Sequence, residues 1–342
     1  MTTFARRAVA RAFAAATFTA AALGGATLST SALAAWEPTK PITFVVTGGA
    51  GGGADQMARL IQGIAAKHKL TRQPFVVQIM NGGGGGQGFM DVKNSPGDPH
   101  KVMIVLSNAH TVPMSTKLPF NWRDTTPVAL MALDEFVLWV NAKSPYKTSK
   151  DLIDAMKKGA PGDFKFGGAG RKREDELVAA LVESKADVKF TFIPYKGGGE
   201  ISAQLVGGHI EVNPNNPIEH ISHWKAGQVR PLCVLNTKRM PFKEPIADGR
   251  SWSDVPTCKE QGLDAQYTML RAILMPKGVT KEQLDYYVDV LRKVRETPEW
   301  KEFVERGAYN NTFLAGEELR KFLEEDEKRH REIMQKAGFL AD

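Results

Sequence analysis

The chain has 342 residues, 24% of them charged, a formal net charge of +7 at pH 7 and two cysteines. That length accommodates two domains. The modest basic excess contains no Lys/Arg run interleaved with aromatics, so it argues against a nucleic-acid partner and suits small anionic solutes. Cys233 and Cys258 have no neighbouring His pair and do not make a metal site.

Residues 1–34 read as a secretory signal peptide. Arg6, Arg7 and Arg11 form a basic start, Ala12–Leu28 is small and apolar, and Ala32-Leu33-Ala34 fits a small-x-small cleavage site. The mature protein is expected to begin near Ala35 and to be periplasmic, its formal charge falling from +7 to +4 as three arginines leave. No later stretch is apolar enough to span a bilayer. An oxidising compartment permits a Cys233–Cys258 disulfide, but the apolar run around Cys233 suits a buried thiol equally, and both readings stay open.

From Ile42 onward strand and helix signals alternate. Strand-like runs are Ile42–Thr47, Phe75–Met80, Val102–Ser107, Phe136–Asn141, Phe164–Gly167, Phe190–Pro194, Ile210–Asn213, Leu232–Leu235 and Leu270–Met275. Helical stretches are Asp55–Lys67, Ser149–Lys158, Glu174–Ser184, Gly198–Val206, Pro217–Ala226 and Lys281–Thr297. This alternation predicts α/β layers with mostly parallel sheets, whose ligands sit beyond the carboxyl ends of the strands. Thr280–Gln335 is helical and charged, with breaks at Pro298 and Gly316, and Glu324–Arg331 reads as a solvated helix face.

Candidate site residues follow the strands. Thr47–Gly53 is a glycine-rich turn between a strand and a helix, where backbone N–H groups lack internal partners and attract anions. Asp55, in the first turn of that helix, either caps it or meets a ligand, and a local Asp55–Arg59 pair is expected. Gly49-x-Gly51-x-x-Ala54 loosely resembles a dinucleotide fingerprint, but the acidic residue after a second strand is missing, and the Lys-Ser/Thr of a phosphate-binding loop is absent. Asn81–Gly88 is a second glycine turn. Ser107 and Asn108 follow another strand, and His110 reads as a surface or core histidine. Gly168, Ala169 and Gly170 form a further strand–glycine–helix turn, crowded by Arg171, Lys172 and Arg173. Cations oppose the dipole of a helix start, so an anionic ligand there is one way to offset the cost. Tyr195 before Gly197–Gly199, Asn215 and Asn216 in an NPNNP turn, and Arg271 in an apolar strand complete the set. No G-x-S-x-G, HExxH or Cys–His arrangement is present, which argues against an enzyme.

The chain resembles the periplasmic substrate-binding proteins of tripartite tricarboxylate transporters, the Bug receptor family. Val46–Arg59 matches that family's V-P-F-x-x-G-G-G-x-D-x-x-A-R opening, with Thr47 and Gly48 in place of Pro and Phe. Asn81–Gly86, Pro194–Gly197, Leu205–Gly208, His223–Leu232 and Pro256–Gly262 match further segments in order. The resemblance implies a two-lobed type II periplasmic-binding-protein (Venus flytrap) α/β fold, with lobe 1 over 35–140 and 266–342 and lobe 2 over 141–265. It also implies two turns gripping a ligand carboxylate from opposite lobes: Thr47, Gly48, Gly49, Ala50 and Gly51 with Asp55, and Gly168–Arg173. The function it implies is a receptor, expected to be monomeric, without cofactor or metal, that delivers an organic di- or tricarboxylate to membrane permease subunits. Alternatives are a sensing subunit that presents its ligand-bound form to a signalling protein, and an exported enzyme acting on a carboxylate. Gly48 in place of Phe suggests a roomier pocket, and Arg171–Arg173 a more anionic ligand.

Overall fold

Ile42–Val46 is apolar without alternation, as a strand covered on both faces must be. In the computed structural model, which describes Trp36–Asp342 as one compact unit, this run is β1. The expected signal peptide lies outside the described residues. β1 pairs in parallel with β2 (Phe75–Ile79) and β3 (Lys101–Val105). Between them run α1 (Gly53–Lys67) and α2 (Gly86–Lys93). α1 buries Ala54, Met57, Ala58, Ile61, Ile64 and Ala65, the stripe that a 3.6-residue period places on one face. α3 (Asn108–Thr116) and β4 (Thr125–Glu135) follow β3.

The chain then builds a second sheet from β5 (Val137–Asn141), β6 (Lys165–Ala169), β7 (Thr191–Tyr195), β8 (Val212–Asn213) and β9 (Val229–Val234). The intervening helices are α4 (Ser149–Lys158), α5 (Glu174–Ala186), α6 (Gly198–Val206) and α7 (Pro217–Lys225). It returns to the first sheet as β10 (Thr268–Pro276) and finishes with α8 (Lys281–Glu296), α9 (Pro298–Arg306), β11 (Leu314–Ala315) and α10 (Gly316–Ala337). α8 begins at a reciprocal cap between Thr280 and Gln283, and α9 at Thr297 with Pro298 in its first position.

The sheet orders are β11-β4-β10-β3-β1-β2 and β7-β6-β8-β5-β9. In each, the strand that enters from the other side of the crossing is antiparallel to its neighbours, β10 beside β3 and β4, and β5 beside β8 and β9; β11 also runs antiparallel to β4. This is the two-lobed periplasmic-binding-protein arrangement. The crossings are adjacent. The Leu235 N–H donates to the Phe136 carbonyl at 2.8 Å, and the Tyr267 N–H to the Leu235 carbonyl at 2.8 Å. Since β5 belongs to the second sheet, the chain crosses at Phe136, ahead of the boundary at residue 141 read from the sequence.

Three features differ from the sequence reading or decide what it left open. β4 was not read as a strand. Its run Val128–Ala132 is fully buried between β10 and β11, so it shows no alternation, and its Ala, Leu and Met favour helix when taken locally. Cys233 and Cys258 are disulfide-bonded, their Cα atoms 4.8 Å apart. Glu324–Arg331 is not wholly solvated: Asp326 and His330 are buried. Asp326 Oδ2 lies 3.4 Å from His110 Nε2 and 3.3 Å from His330 Nδ1, and the Tyr267 hydroxyl lies 2.8 Å from His330 Nε2. His110 is thus a core residue. Burial works against the Asp326 charge, but the His330 and His110 rings hold its carboxyl well below the usual range.

Candidate functional site

The first-lobe wall of the cleft is the turn after β1. Thr47 is buried and its hydroxyl donates to the Ile104 carbonyl at 3.0 Å. Asn108 braces the same turn: its Oδ1 accepts from the Leu106 N–H at 3.1 Å, and its Nδ2 donates to the Gly84 carbonyl at 2.9 Å. Asp55 is a cap, its Oδ2 accepting from the Gly51 N–H at 2.9 Å, and its Oδ1 takes the expected contact from Arg59 Nε at 2.8 Å. The Gly53 N–H donates at 2.9 Å to Glu219 Oε1, a carboxylate from α7 in the other lobe. Gly53 has no room for a side chain, since a Cβ there would stand 2.5 Å from Arg271 Nη2 and 3.2 Å from the Tyr309 hydroxyl.

The second-lobe wall has two turns. After β6, the Ala169 N–H donates to Asp175 Oδ2 at 2.7 Å, and the Lys172 N–H to Glu176 Oε2. Arg171 Nη1 reaches Glu176 Oε1 at 2.8 Å, with its guanidinium over the Phe192 ring, while Arg173 Nε lies 3.4 Å from Glu174 Oε2. Arg171 and Arg173 thus have carboxylate partners in the first turn of α5, a second way to offset the charge of this turn beside an anionic ligand. After β7, the backbone at Lys196–Gly197 meets the first lobe. A Cβ on Gly49 would lie 2.9 Å from the Lys196 carbonyl oxygen, and one on Gly197 would lie 3.7 Å from Gly49 Cα.

The floor is Arg271 on β10, 1% exposed. Its Nε donates to Asp134 Oδ2 at 2.9 Å, Nη2 reaches the same oxygen and Asn216 Oδ1 (3.4 Å), and Nη1 has no hydrogen-bond partner within the protein. Asn215 Nδ2 donates to the Gly198 carbonyl at 3.1 Å, and Asn216 Nδ2 to the Glu135 carbonyl at 2.7 Å. Between walls and floor lies a cavity of about 50 Å³. Burial pushes the Asp175 carboxyl up to about 8, with Glu219 and Glu174 adding repulsion that the Ala169 N–H and Arg173 only partly offset. Burial likewise raises Glu219 to about 7, against the opposing charge of Arg271 and the Gly53 hydrogen bond, and Asp134 to about 6 despite Arg271.

Of the residues expected from the sequence, Gly48, Gly49, Ala169, Arg173, Asn215, Asn216 and Arg271 line this cavity. Thr47, Asp55, Asn108 and Gly168 stand behind it as braces. Ser107 is buried with its hydroxyl unpartnered within the protein, and Ala50 and Gly51 are exposed at the tip of their turn. Gly170 donates its N–H to the Tyr195 carbonyl (2.9 Å), while Arg171, Lys172 and Tyr195 are outside the lining. Gly53, within the first glycine turn, also lines the cavity, whereas the sequence reading missed Leu106, Glu174, Asp175, Glu219 and Met269 as lining residues. In the sequence, Glu174 and Asp175 stand directly after three cations, a placement that reads locally as counter-charge. Nothing in the local pattern of α7 marks Glu219, whose role depends on the opposite lobe. A wider, open groove of about 1080 Å³ runs along α5 and β7 to Lys336 and Phe339. Arg171 borders it, but neither the Gly48–Gly49 nor the Gly197–Gly198 turn contributes to it.

Residues 57–339 match the family model described as "Tripartite tricarboxylate transporter family receptor". The chain belongs to this receptor family. Family members are substrate-binding receptors of transporters, not enzymes. A Cupriavidus necator relative, "UPF0065 protein in gbd 5'region", is 28% identical over 93% of this chain and 94% of its own length. A Polaromonas TctC solute-binding protein, solved with no ligand, is 26% identical with a TM-score of 0.64, over 87% of this chain and 99% of that one. R. palustris Rpa4515, solved with adipate, shares the fold at a TM-score of 0.80 and 23% identity, over 88% of this chain and 98% of that one. Among the described residues no helix is long and apolar enough to cross a membrane.

Proposed function

We propose that this receptor captures an organic carboxylate in the cleft between its lobes and delivers it to the permease subunits of a tripartite tricarboxylate transporter. The observation that carries the reading is the approach of bare backbone from both lobes, Gly48–Gly49 on one side and Gly197–Gly198 on the other, around a cavity floored by the buried Arg271 guanidinium. Backbone N–H groups at such turns and a charged donor are what a carboxylate needs, and a charge-assisted hydrogen bond contributes roughly 1.5–3 kcal/mol. The adipate bound by Rpa4515 makes a dicarboxylate the natural reference compound. The protein works as a periplasmic monomer, exported by residues 1–34.

The test is a thermal shift of the purified protein against mono-, di- and tricarboxylates, aliphatic and aromatic, with uncharged amides as controls. A ligand specific for the folded state raises Tm with concentration. A shift by one carboxylate subset is the expected result. A shift only by the amides, or by nothing in a broad panel, overturns the reading. N-terminal sequencing of the protein recovered from the periplasm should start near Ala35. Loss of uptake of the same carboxylate on deleting either receptor or permease checks the delivery step.

A further inference from the structure

Glu219 lies in the first turn of α7. A carboxylate there ordinarily serves the free N–H groups of its own helix, yet α7 has no side-chain cap hydrogen bond. Glu219 Oε1 instead reaches across the cleft and accepts at 2.9 Å from the N–H of Gly53, the first residue of α1. Gly53 also stands against the floor, since a Cβ there would lie 2.5 Å from Arg271 Nη2. The opposing charge of Arg271 acts on the Glu219 carboxyl as well. Helix start, guanidinium and carboxylate thus meet at one point.

The glycines of both lobes leave room for this carboxylate. A Cβ on Gly198 would overlap both of its oxygens, and one on Gly52 would come 3.2 Å from Oε1. What remains between the lobes is the cavity of about 50 Å³. Ligand pockets start at roughly 300 Å³, so an organic acid cannot enter while Glu219 holds its place and the lobes meet. A charged acceptor on a helix N-terminus favours that contact. A carboxylate arriving from outside offers α1 the same kind of acceptor, so an exchange leaves no donor unsatisfied.

On the reading of the cleft as a carboxylate site, we propose that Glu219 is a resident stand-in for the ligand's carboxylate. It latches the lobes through the start of α1 and is displaced when a ligand enters. The latched form is closed to ligand, so its population lowers the apparent affinity.

Small-angle scattering of the purified protein without ligand reads the latch directly. Glu219→Ala removes the carboxylate, whereas Gly198→Ala keeps Glu219 in the chain and fills its place. The parent should show the radius of gyration of the compact structure and both variants a larger one, with helix content and cooperative urea unfolding retained. Calorimetry with adipate then separates a competitor from a ligand contact. Both variants should bind adipate at least about threefold more tightly, as the latched population disappears. Removal of a residue that only touches the ligand would weaken binding. Folded variants that keep the parent's radius of gyration, or that bind adipate no more tightly, overturn the proposal. If neither adipate nor any other acid of the carboxylate panel binds the parent or the variants, the carboxylate reading fails. The scattering comparison alone then decides whether Glu219 holds the lobes.

Discussion

The starts of α1 and α5 occupy equivalent places, each following a strand that lies second from the edge of its sheet between two parallel neighbours. Their chemistry is opposite. α1 begins with Gly53, keeps its backbone bare, and has its first N–H satisfied by Glu219 of the other lobe, while Asp55 holds the Gly51 N–H of the preceding turn. α5 begins with Glu174, and its Asp175 and Glu176 accept from the Ala169 and Lys172 N–H groups of the preceding strand and turn. Asp55 is paired with the exposed Arg59, whereas Asp175 is buried with no cation of its own. Shared topology sets where a helix start points. Whether it presents donors or acceptors depends on which residues fill it.

The largest test of that difference is the first residue of each helix. Gly53→Val drives a branched Cβ into Arg271 and Tyr309 and should cost about 3 kcal/mol, at the upper end of overpacking. Glu174→Gln at the matching place should cost less than about 1 kcal/mol, as it keeps shape and an acceptor. Equal shifts in urea midpoint at unchanged slope would dissolve the contrast.

Next is pH. The folded-state values of Asp175 and Glu219, about 8 and about 7, lie above the ordinary carboxyl range. Their contribution is therefore full below pH 4 and is lost as pH rises through the folded values. Asp175 is faced by Glu219, Glu174, Arg173 and the Ala169 N–H, and Glu219 by Arg271, Asp134 and the Gly53 N–H. Asp175→Asn removes one of these protons from the balance. Its stability relative to the parent should grow by roughly 1–3 kcal/mol between pH 5 and pH 8. A parallel pair of stability–pH curves would show that Asp175 ionises in the fold as an ordinary carboxylate.

Smaller effects sharpen the first-lobe side. Asp55→Ala should cost about 1 kcal/mol through the lost cap. Arg59→Ala should cost only a few tenths of a kcal/mol, because Arg59 is solvent-exposed and its pair with Asp55 spans a single helical turn. Both follow from thermal or urea unfolding of the variants.

Much of this was legible in the sequence. The alternation from Ile42 to Val234 carried the α/β class, and the glycine turns pointed to the carboxyl ends of β1, β6 and β7. The Asp55–Arg59 pair followed from helical spacing alone. What escaped depended on contacts distant in sequence. β4 is a strand because β10 and β11 flank it, against the helical leaning of its own residues. Arg271 reads from the sequence only as a cation in an apolar strand, and it is Asp134, 137 positions away, that holds it inside. Glu219 acquires its place from Gly53, 166 positions away, so no local pattern announces it.

The pairing of Thr268 with Glu135 joins β10 to β4 at the residues where the chain leaves and re-enters the first sheet. Topologically, the entire second lobe is the loop of one β-hairpin. Its two ends already meet, with the Phe136 and Tyr267 rings 5.2 Å apart. Replacing everything between Glu135 and Thr268 by a two-residue turn would therefore leave every strand neighbour in the first sheet unchanged, a shortcut open to a protein engineer or to gene rearrangement alike.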